Sequence, residues 1–275
     1  MTTRRDFDGK CVLITGAASG IGRESAFAFA DAGATLELVD VDREGLERTA
    51  LLVRHLGVAA TTHVVDVSSA SAMQALADDV HARHAAVDVL FNNAGVGCAG
   101  SFVGTELAMW DWVYAINVKG VIHGCHFFVP KMIERQRGGH VLNMASGAGL
   151  AASKAAPVYS TSKFAVVGLS EALREELAPH GIPVTTICPG VIDTAIIQNL
   201  RLSGDASTDA GYRERSQRFY SRRAYGAERV AQAVVQAARG QGGLLPVSPE
   251  AWITYYGKRF APGLVRKLIN GELPR

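Results

Sequence analysis

Cys11-Val12-Leu13-Ile14-Thr15-Gly16-Ala17-Ala18-Ser19-Gly20-Ile21-Gly22 is the stretch whose reading decides the fold. A short apolar run ends in a glycine-rich turn and helical periodicity follows, so the chain reads as a strand turning tightly into a helix. Glycine at 16, 20 and 22 permits that turn and lets the backbone approach a bound group closely. The first turn of the helix, with its unpaired N–H groups and positive dipole end, suits a pyrophosphate. Such a turn also has purely structural uses, so its weight depends on the rest of the chain.

Outward from it, apolar runs near 35–39, 61–65, 87–91, 140–145 and 183–188 alternate with longer amphipathic stretches. The run Val87 to Phe91, like Val12-Leu13-Ile14, is apolar without strict alternation, as strands are when helices cover both faces of a parallel sheet. The series predicts a three-layer, doubly wound, Rossmann-like α/β fold with a central parallel sheet of about seven strands. We take residues 1–275 as a single catalytic domain, since a chain of 275 residues with 48% hydrophobic content can bury one large core.

Composition narrows the function classes. Acids and bases nearly balance at a formal net charge of +2, which supplies no basic face for nucleic acid. Cys11, Cys98, Cys125 and Cys188 are far apart and form no CxxC pair, which argues against a zinc site or a disulfide framework and for a reduced, cytoplasmic setting. Thr3-Arg4-Arg5-Asp6-Phe7 has the look of a twin-arginine export signal, but the apolar stretch such a signal needs is here the first strand. Cleaving it off would destroy the nucleotide site. No run approaches the ~18 apolar residues needed to span a bilayer.

Two segments leave the repeating pattern. From about 194 to 225 the chain carries Arg213, Arg215, Arg218, Arg222 and Arg223 after a strand that ends at Pro189-Gly190, and it reads as an excursion placed to cover substrate. A solvated surface helix is the alternative. The tail, 248–275, spaces Trp252, Tyr256, Phe260, Leu264 and Leu268 by four, with Lys258, Arg259, Arg266 and Lys267 between them. Pro262 should break it into two short helices. Packing against its own domain or a sister subunit is the first reading of its apolar stripe, and peripheral contact with a membrane surface the second.

The residue types that carry chemistry fall at strand ends. Asp40 closes the second strand 18 residues after Gly22, close to the spacing at which an acid holds the adenosine ribose hydroxyls. A carboxylate there repels a 2′-phosphate and neither Ser19 nor Val41 is basic, so NAD is favoured over NADP. In Tyr159-Ser160-Thr161-Ser162-Lys163, the tyrosine and lysine are four apart on a helical stretch and share a face. A phenol with a pKa near 10 becomes a usable base near pH 7 for roughly 4 kcal/mol of differential interaction, which an ammonium and a cationic nicotinamide can supply in a partly desolvated cleft. The spacing alone arises by chance too easily to stand unsupported. Ser146, at the end of Asn143-Met144-Ala145-Ser146, supports it from the sheet edge where a cofactor should lie.

Taken together these features resemble the short-chain dehydrogenase/reductase family over about residues 8–247. The resemblance rests also on Asn92-Asn93-Ala94-Gly95 after the fourth strand, Asn117 in the next helix, Ser146 thirteen residues before Tyr159, and Pro189-Gly190-Val191-Ile192-Asp193-Thr194. It implies that Tyr159 is the general acid/base, that Lys163 lowers its pKa and holds the nicotinamide ribose, and that Ser146 binds the substrate oxygen. Asn117 would anchor a water-linked proton relay from Lys163. Gly16, Ser19, Gly20, Ile21 and Gly22 would hold the pyrophosphate, Asp66 and Val67 the adenine. Asn93, Ala94 and Gly95 would line the cleft, and Pro189, Gly190, Ile192 and Thr194 would lie at the carboxamide. The resemblance also implies a homodimer or homotetramer built through the helices that carry Asn117 and Tyr159.

The reaction read from this is hydride exchange between NAD and a small-molecule alcohol or carbonyl compound. The alternative is a non-catalytic NAD-binding sensor, which has no need of Tyr159, Lys163, Ser146 and Asn117 together. The small-residue run Gly147-Ala148-Gly149-Leu150-Ala151-Ala152, with the aromatic tail, hints at a lipophilic alcohol, and simple packing of the same residues is the alternative. His123 and His126 have no third ligand indicated nearby, Cys188 has no base to activate it, and Trp110 and Trp112 read as packing or subunit contact.

Overall fold

The structure, a computed structural model, describes residues 6–192, 199–212, 214–215, 218 and 225–270. Its sheet strands are β1 (Cys11–Thr15), β2 (Thr35–Asp40), β3 (Ala60–Val64), β4 (Val89–Asn92), β6 (His140–Met144), β7 (Val184–Pro189) and β9 (Gly243–Val247). They form one seven-stranded sheet in the order β3-β2-β1-β4-β6-β7-β9, every pairing parallel. From β1 the chain winds outward to β3, then returns to β4 on the other side of β1. The strand order therefore reverses between β1 and β4, which opens a crevice at their carboxyl ends.

The crossovers are helices whose starts are chemically marked. α1 (Gly20–Asp31) follows the glycine turn. α2 (Arg43–His55) is capped by Asp42, whose Oδ1 accepts from the Gly45 amide at 3.1 Å. α3 (Ala70–Arg83) is capped by Ser69, and α6 (Pro157–Leu177) begins on a proline whose missing N–H costs nothing there. α4 (Leu107–Tyr114) runs through a π-helical turn, Ala115–Lys119, into α5 (Gly120–Arg135), and α7 (Ala227–Ala238) packs against α1.

Both sheet faces are apolar because alternate residues of each strand feed separate cores. Val12, Ile14, Leu36, Leu38, Val89 and Phe91 pack with α1, α2 and α7. Leu13, Val39, Leu90 and Val141 pack on the opposite face with α3 and α5. This is the physical reason the strands read as continuous apolar runs.

The seventh strand is short and lies among breakers, with only Leu244, Leu245 and Val247 as apolar residues. Gly242, Gly243 and Pro246 mask β9, and Pro246 is tolerated because β9 pairs with β7 alone, at the sheet edge. Pro246 and Val247 therefore belong to the sheet, and the tail proper begins after them. It forms α8 (Pro249–Phe260) and α9 (Pro262–Ile269), separated at Ala261. Ala251 and Val265 are buried, and Val265 lies against Gly257, but most of the aromatic stripe is exposed. Packing on its own domain accounts for only part of that stripe. Of the 194–225 excursion, Arg201–Leu202 forms β8, paired parallel with β5 (Cys98–Ala99), and Asp205–Thr208 makes a single helical turn. Thr194, Arg213, Arg222 and Arg223 lie outside the described residues.

A carboxylate is buried beside the second core. Glu37, in the middle of β2 and 1% exposed, accepts from His63 on β3 at 2.6 Å, His84 at 2.9 Å and Arg83 at 3.0 Å. Burial alone would raise its carboxyl, but the hydrogen bonds from His63 and His84 and the Arg83 guanidinium hold it below its ordinary 4.5. Cys11, Glu37 and His84 bring three possible ligand atoms within 4.8 Å, but the cationic partner there is Arg83. Beside Glu37 the Cys11 thiol is pushed up to about 12, first by burial and then by the carboxylates of Glu37 and Asp88. Because the native carboxyl ionises more readily than the unfolded one, its stabilisation is complete above the unfolded value and is lost as pH falls through the lower native value. Glu37→Gln should cost about 1–3 kcal/mol in urea unfolding at neutral pH. The difference from wild type should shrink progressively on the acid side of the carboxylate range.

Candidate active site

The crevice between β1 and β4 is built by backbone contact. Thr15, last in β1 and 2% exposed, accepts on Oγ1 from the amides of Asn93 and Ala94, each at 3.0 Å. The Asn93 side-chain amide donates back to the Thr15 and Gly16 carbonyls at 2.9 and 3.2 Å. A side chain has no room between them: a Cβ on Gly22 would stand 2.0 Å from the Gly16 carbonyl oxygen and 2.6 Å from Asn93 Nδ2. Gly16 and Gly20 also hold left-handed φ angles of 70° and 52°, open to glycine at little cost. Ser19 is exposed and extended ahead of α1, and Ile21 is half-buried.

Asp40 closes β2 beside this loop. Its Oδ2 accepts from the Ala18 amide at 2.9 Å and its Oδ1 from the Asp42 amide at 3.0 Å, so the carboxylate is aimed at the glycine turn. Arg23 reaches the same loop from below, donating to the Ala18 carbonyl and to Thr49 Oγ1. At the end of β3, Asp66 is exposed and folds its carboxylate onto the Ser68 amide, while Val67 is buried against Gly120 and its carbonyl is bonded to His123 Nδ1 at 2.8 Å.

Asn117 is fully buried in the π turn between α4 and α5. Its Oδ1 accepts from the Val96 amide at 2.8 Å, and its Nδ2 donates to the Val96 carbonyl at 3.0 Å and to Ser162 Oγ at 3.1 Å. Gly95 sits between Asn117 and Lys163: a Cβ there would lie 3.2 Å from Asn117 Oδ1 and 3.5 Å from Lys163 Nζ. Lys163 is 2% exposed, donates to the Met144 carbonyl at 2.9 Å, and carries its ammonium 5.7 Å from the Tyr159 ring centroid. Burial pushes it down to about 8, opposed only by the neighbouring Cys188. The Cys188 thiol is itself pushed up to about 12 by burial. Ser146 ends the loop after β6, where its Oγ accepts from the Ala148 amide at 3.1 Å. Pro189 and Gly190 leave β7 beside it, and Val191 N donates to Glu250 on α8 at 3.1 Å. Ile192 is buried in the first core.

The crevice thus brings Gly16, Gly22, Asp40, Asn93, Gly95, Asn117, Ser146, Tyr159 and Lys163 to one end of the sheet. Thr194, expected at the carboxamide, lies outside the described residues. Reading the residues alone misses Thr15 and Ser162. Thr15 is the polar residue ending an otherwise apolar strand, and Ser162 stands three residues after Tyr159 with its hydroxyl donated to the Tyr159 carbonyl at 2.8 Å.

Packing accounts for two other features of the sequence. In the run 147–152, Gly149, Leu150 and Ala151 are buried, and a Cβ on Gly149 would stand 2.8 Å from the Lys163 carbonyl oxygen. Close packing under α6 therefore explains these small residues without a substrate. Trp110 and Trp112, read as packing or subunit contact, pack with Val96, Met109 and Tyr159 around Cys98, Val113 and Val158. Arg201 of β8 stacks on the Trp112 ring at 3.8 Å, and Phe102 meets Trp110 edge-on at 5.9 Å. The apolar wall beside Tyr159 comes from these aromatic residues.

Residues 10–204 match the family model described as short chain dehydrogenase. The chain is 39% identical over 263 residues to "Probable oxidoreductase EphD" of Mycobacterium tuberculosis, a match that covers 94% of this chain and 44% of that protein, so it spans less than half the length of this relative. A solved short chain dehydrogenase/reductase from Burkholderia phymatum, in complex with NAD, superposes with a TM-score of 0.84 at 33% identity, covering 95% of this chain and 96% of that one. A metagenomic short-chain oxidoreductase in complex with NADP superposes with a TM-score of 0.71 at 28% identity, covering 88% and 99%. The fold, the crevice and these matches agree: the chain belongs to the short-chain dehydrogenase/reductase family. These relatives are named oxidoreductases or dehydrogenases, so the sensor alternative draws no support from them.

Gly22→Ala tests the crevice directly. The added methyl should force the turn from α1, lowering stability by about 1–3 kcal/mol and weakening dinucleotide binding about tenfold or more, as read by calorimetric titration.

Proposed function

We propose that the chain is an oxidoreductase that exchanges hydride between NAD and an alcohol or carbonyl compound, with Tyr159 moving the proton at the substrate oxygen. One observation carries this reading. A lysine buried to 2% exposure holds its ammonium against the Tyr159 ring, one helical turn away. A cation so placed favours the phenolate and makes the phenol a proton acceptor near neutral pH. Ser146 Oγ already accepts from a backbone amide, so its own hydrogen is what it offers to the substrate oxygen. Asn117 holds the Val96 backbone beside Lys163 and lies in a π turn, where the ordinary helix ladder is interrupted. We assign it the anchoring of a water-linked proton relay from Lys163.

The glycine cradle and Asp40 fit a dinucleotide. When bound, its nicotinamide supplies or accepts the hydride. We favour NAD, because the Asp40 carboxylate beside the glycine turn would repel a 2′-phosphate, while Ser19 and Val41 are uncharged and Arg23 is turned to Ala18 and Thr49. Asp66 and Val67 are assigned to the adenine, Ala94 and Ile21 to the cleft wall, and Pro189, Gly190 and Ile192 to the carboxamide side. The aromatic wall of Trp110 and Trp112 favours a lipophilic alcohol.

The test is NADH formation with a panel of alcohols from short aliphatic to polycyclic. Wild type should turn over with NAD at a KM about tenfold or more below that for NADP, and Asp40→Ser should narrow that gap. Tyr159→Phe should lose about 100-fold to 10,000-fold in kcat while still binding NAD. NAD binding without turnover across the panel would overturn the proposal in favour of a sensor.

A further inference from the structure

The two helices after the sheet present an apolar face that the catalytic reading does not use. On α8, Ala251 is buried and Tyr255 packs against the second core, which turns the opposite side of the helix outward. That outer side carries Trp252, Ile253, Tyr256 and Phe260, the last 80% exposed. Leu264 and Leu268 on α9, about half exposed, extend the surface. Trp252 and Tyr256 stack on each other, with ring centroids 5.7 Å apart and planes 19° from parallel. Burying so many large side chains in water's place is favourable, and single exposed apolar residues do not form such a contiguous patch.

The charges on these helices choose the occupant. Lys258, Arg259, Arg266 and Lys267 give four cations on a chain whose formal net charge is only +2. The one acid of these helices, Glu250, is turned inward, where Oε1 accepts from the Val191 amide and the side chain closes on Gly190. An isologous contact between two copies would set this patch against itself and bring like charges together. An anionic bilayer surface complements it instead. Leucines and aromatic rings enter the acyl boundary, tryptophan and tyrosine sit at headgroup level, and long basic side chains reach the phosphates.

We propose that α8 and α9 form a docking face for an anionic lipid bilayer. Its position gives the face a use. Glu250 ties α8 to the segment leaving β7, Lys258 lies over Phe164 at 4.4 Å, next to Lys163 in α6, and Asn270 Oδ1 accepts from the Lys154 amide just before α6. The face therefore flanks the loops that enter the crevice. The inference stands on the tail's own geometry and does not depend on the reaction proposed for Tyr159.

The experiment is co-sedimentation of the full chain with vesicles of phosphatidylcholine alone and of phosphatidylcholine with about a third phosphatidylglycerol, at low salt and at about 0.5 M salt. Wild type should bind the anionic vesicles, bind the neutral ones far less, and release in high salt. Phe260→Ser with Leu264→Ser should weaken binding about tenfold or more, and each of Arg259→Ala and Lys267→Ala about fivefold. All four positions are exposed, so the variants should keep the wild-type melting temperature and turnover. Failure to bind anionic vesicles, or equal binding to both compositions, overturns the proposal. So does a smaller sedimenting species for the Phe260→Ser/Leu264→Ser variant in the absence of wild-type vesicle binding, which would assign the face to a second copy.

Discussion

Everything at this site depends on how closely the backbone after β1 approaches the backbone after β4. Gly22 rests on the Gly16 carbonyl, Asn93 spans the gap with its side-chain amide, and Thr15 Oγ1 receives two amides from the far side. No residue with a Cβ fits at 22, and no apolar side chain could replace the amide of Asn93 without leaving buried backbone carbonyls unpaired. This clamp fixes where α1 starts, and thus where its positive end points. The segment that follows Asn93, at Gly95, lies against Asn117 and Lys163, so the glycine turn and the Tyr159–Lys163 pair are joined through one stretch of backbone.

Lys163 is the costliest element of that arrangement. An ammonium held at 2% exposure, and pushed down to about 8 by burial, is costly, and the Met144 carbonyl offsets part of that cost by accepting from it. Its neighbours are small for the same reason. Gly149 lies against its carbonyl and Gly95 against its ammonium, where larger residues would push α6 away from the sheet. Lys163 is buried at the carboxyl edge of the sheet with the Met144 carbonyl as its acceptor, whereas the equally buried Glu37 is met on three sides by His63, His84 and Arg83.

Much of this was legible before folding is considered. The glycine turn, Asp40 closing its strand, and Tyr159 with Lys163 four residues on are local patterns, and local patterns survive in one dimension. β9 was not legible, because Gly242, Gly243 and Pro246 hide an edge strand whose partner lies more than fifty residues earlier. Nor was the role of Trp110 and Trp112, whose place beside Tyr159 depends on how α4 crosses α6. The small residues at 147–152 were legible as a pattern but not for their cause, since only the packing of α6 shows what Gly149 avoids.

What the amino-acid order determined by itself is the alternation of strand and helix, the parallel sheet that alternation demands, and the residue types at the strand ends. These follow from periodicity, steric freedom and charge, which act over a few residues. Tertiary structure alone decided which strand ends meet at the crevice, how deeply Lys163 is buried, and which side of α8 is left facing outward. Those depend on contacts between residues far apart in the chain, where the free energy of burial is settled by the neighbours that folding brings together.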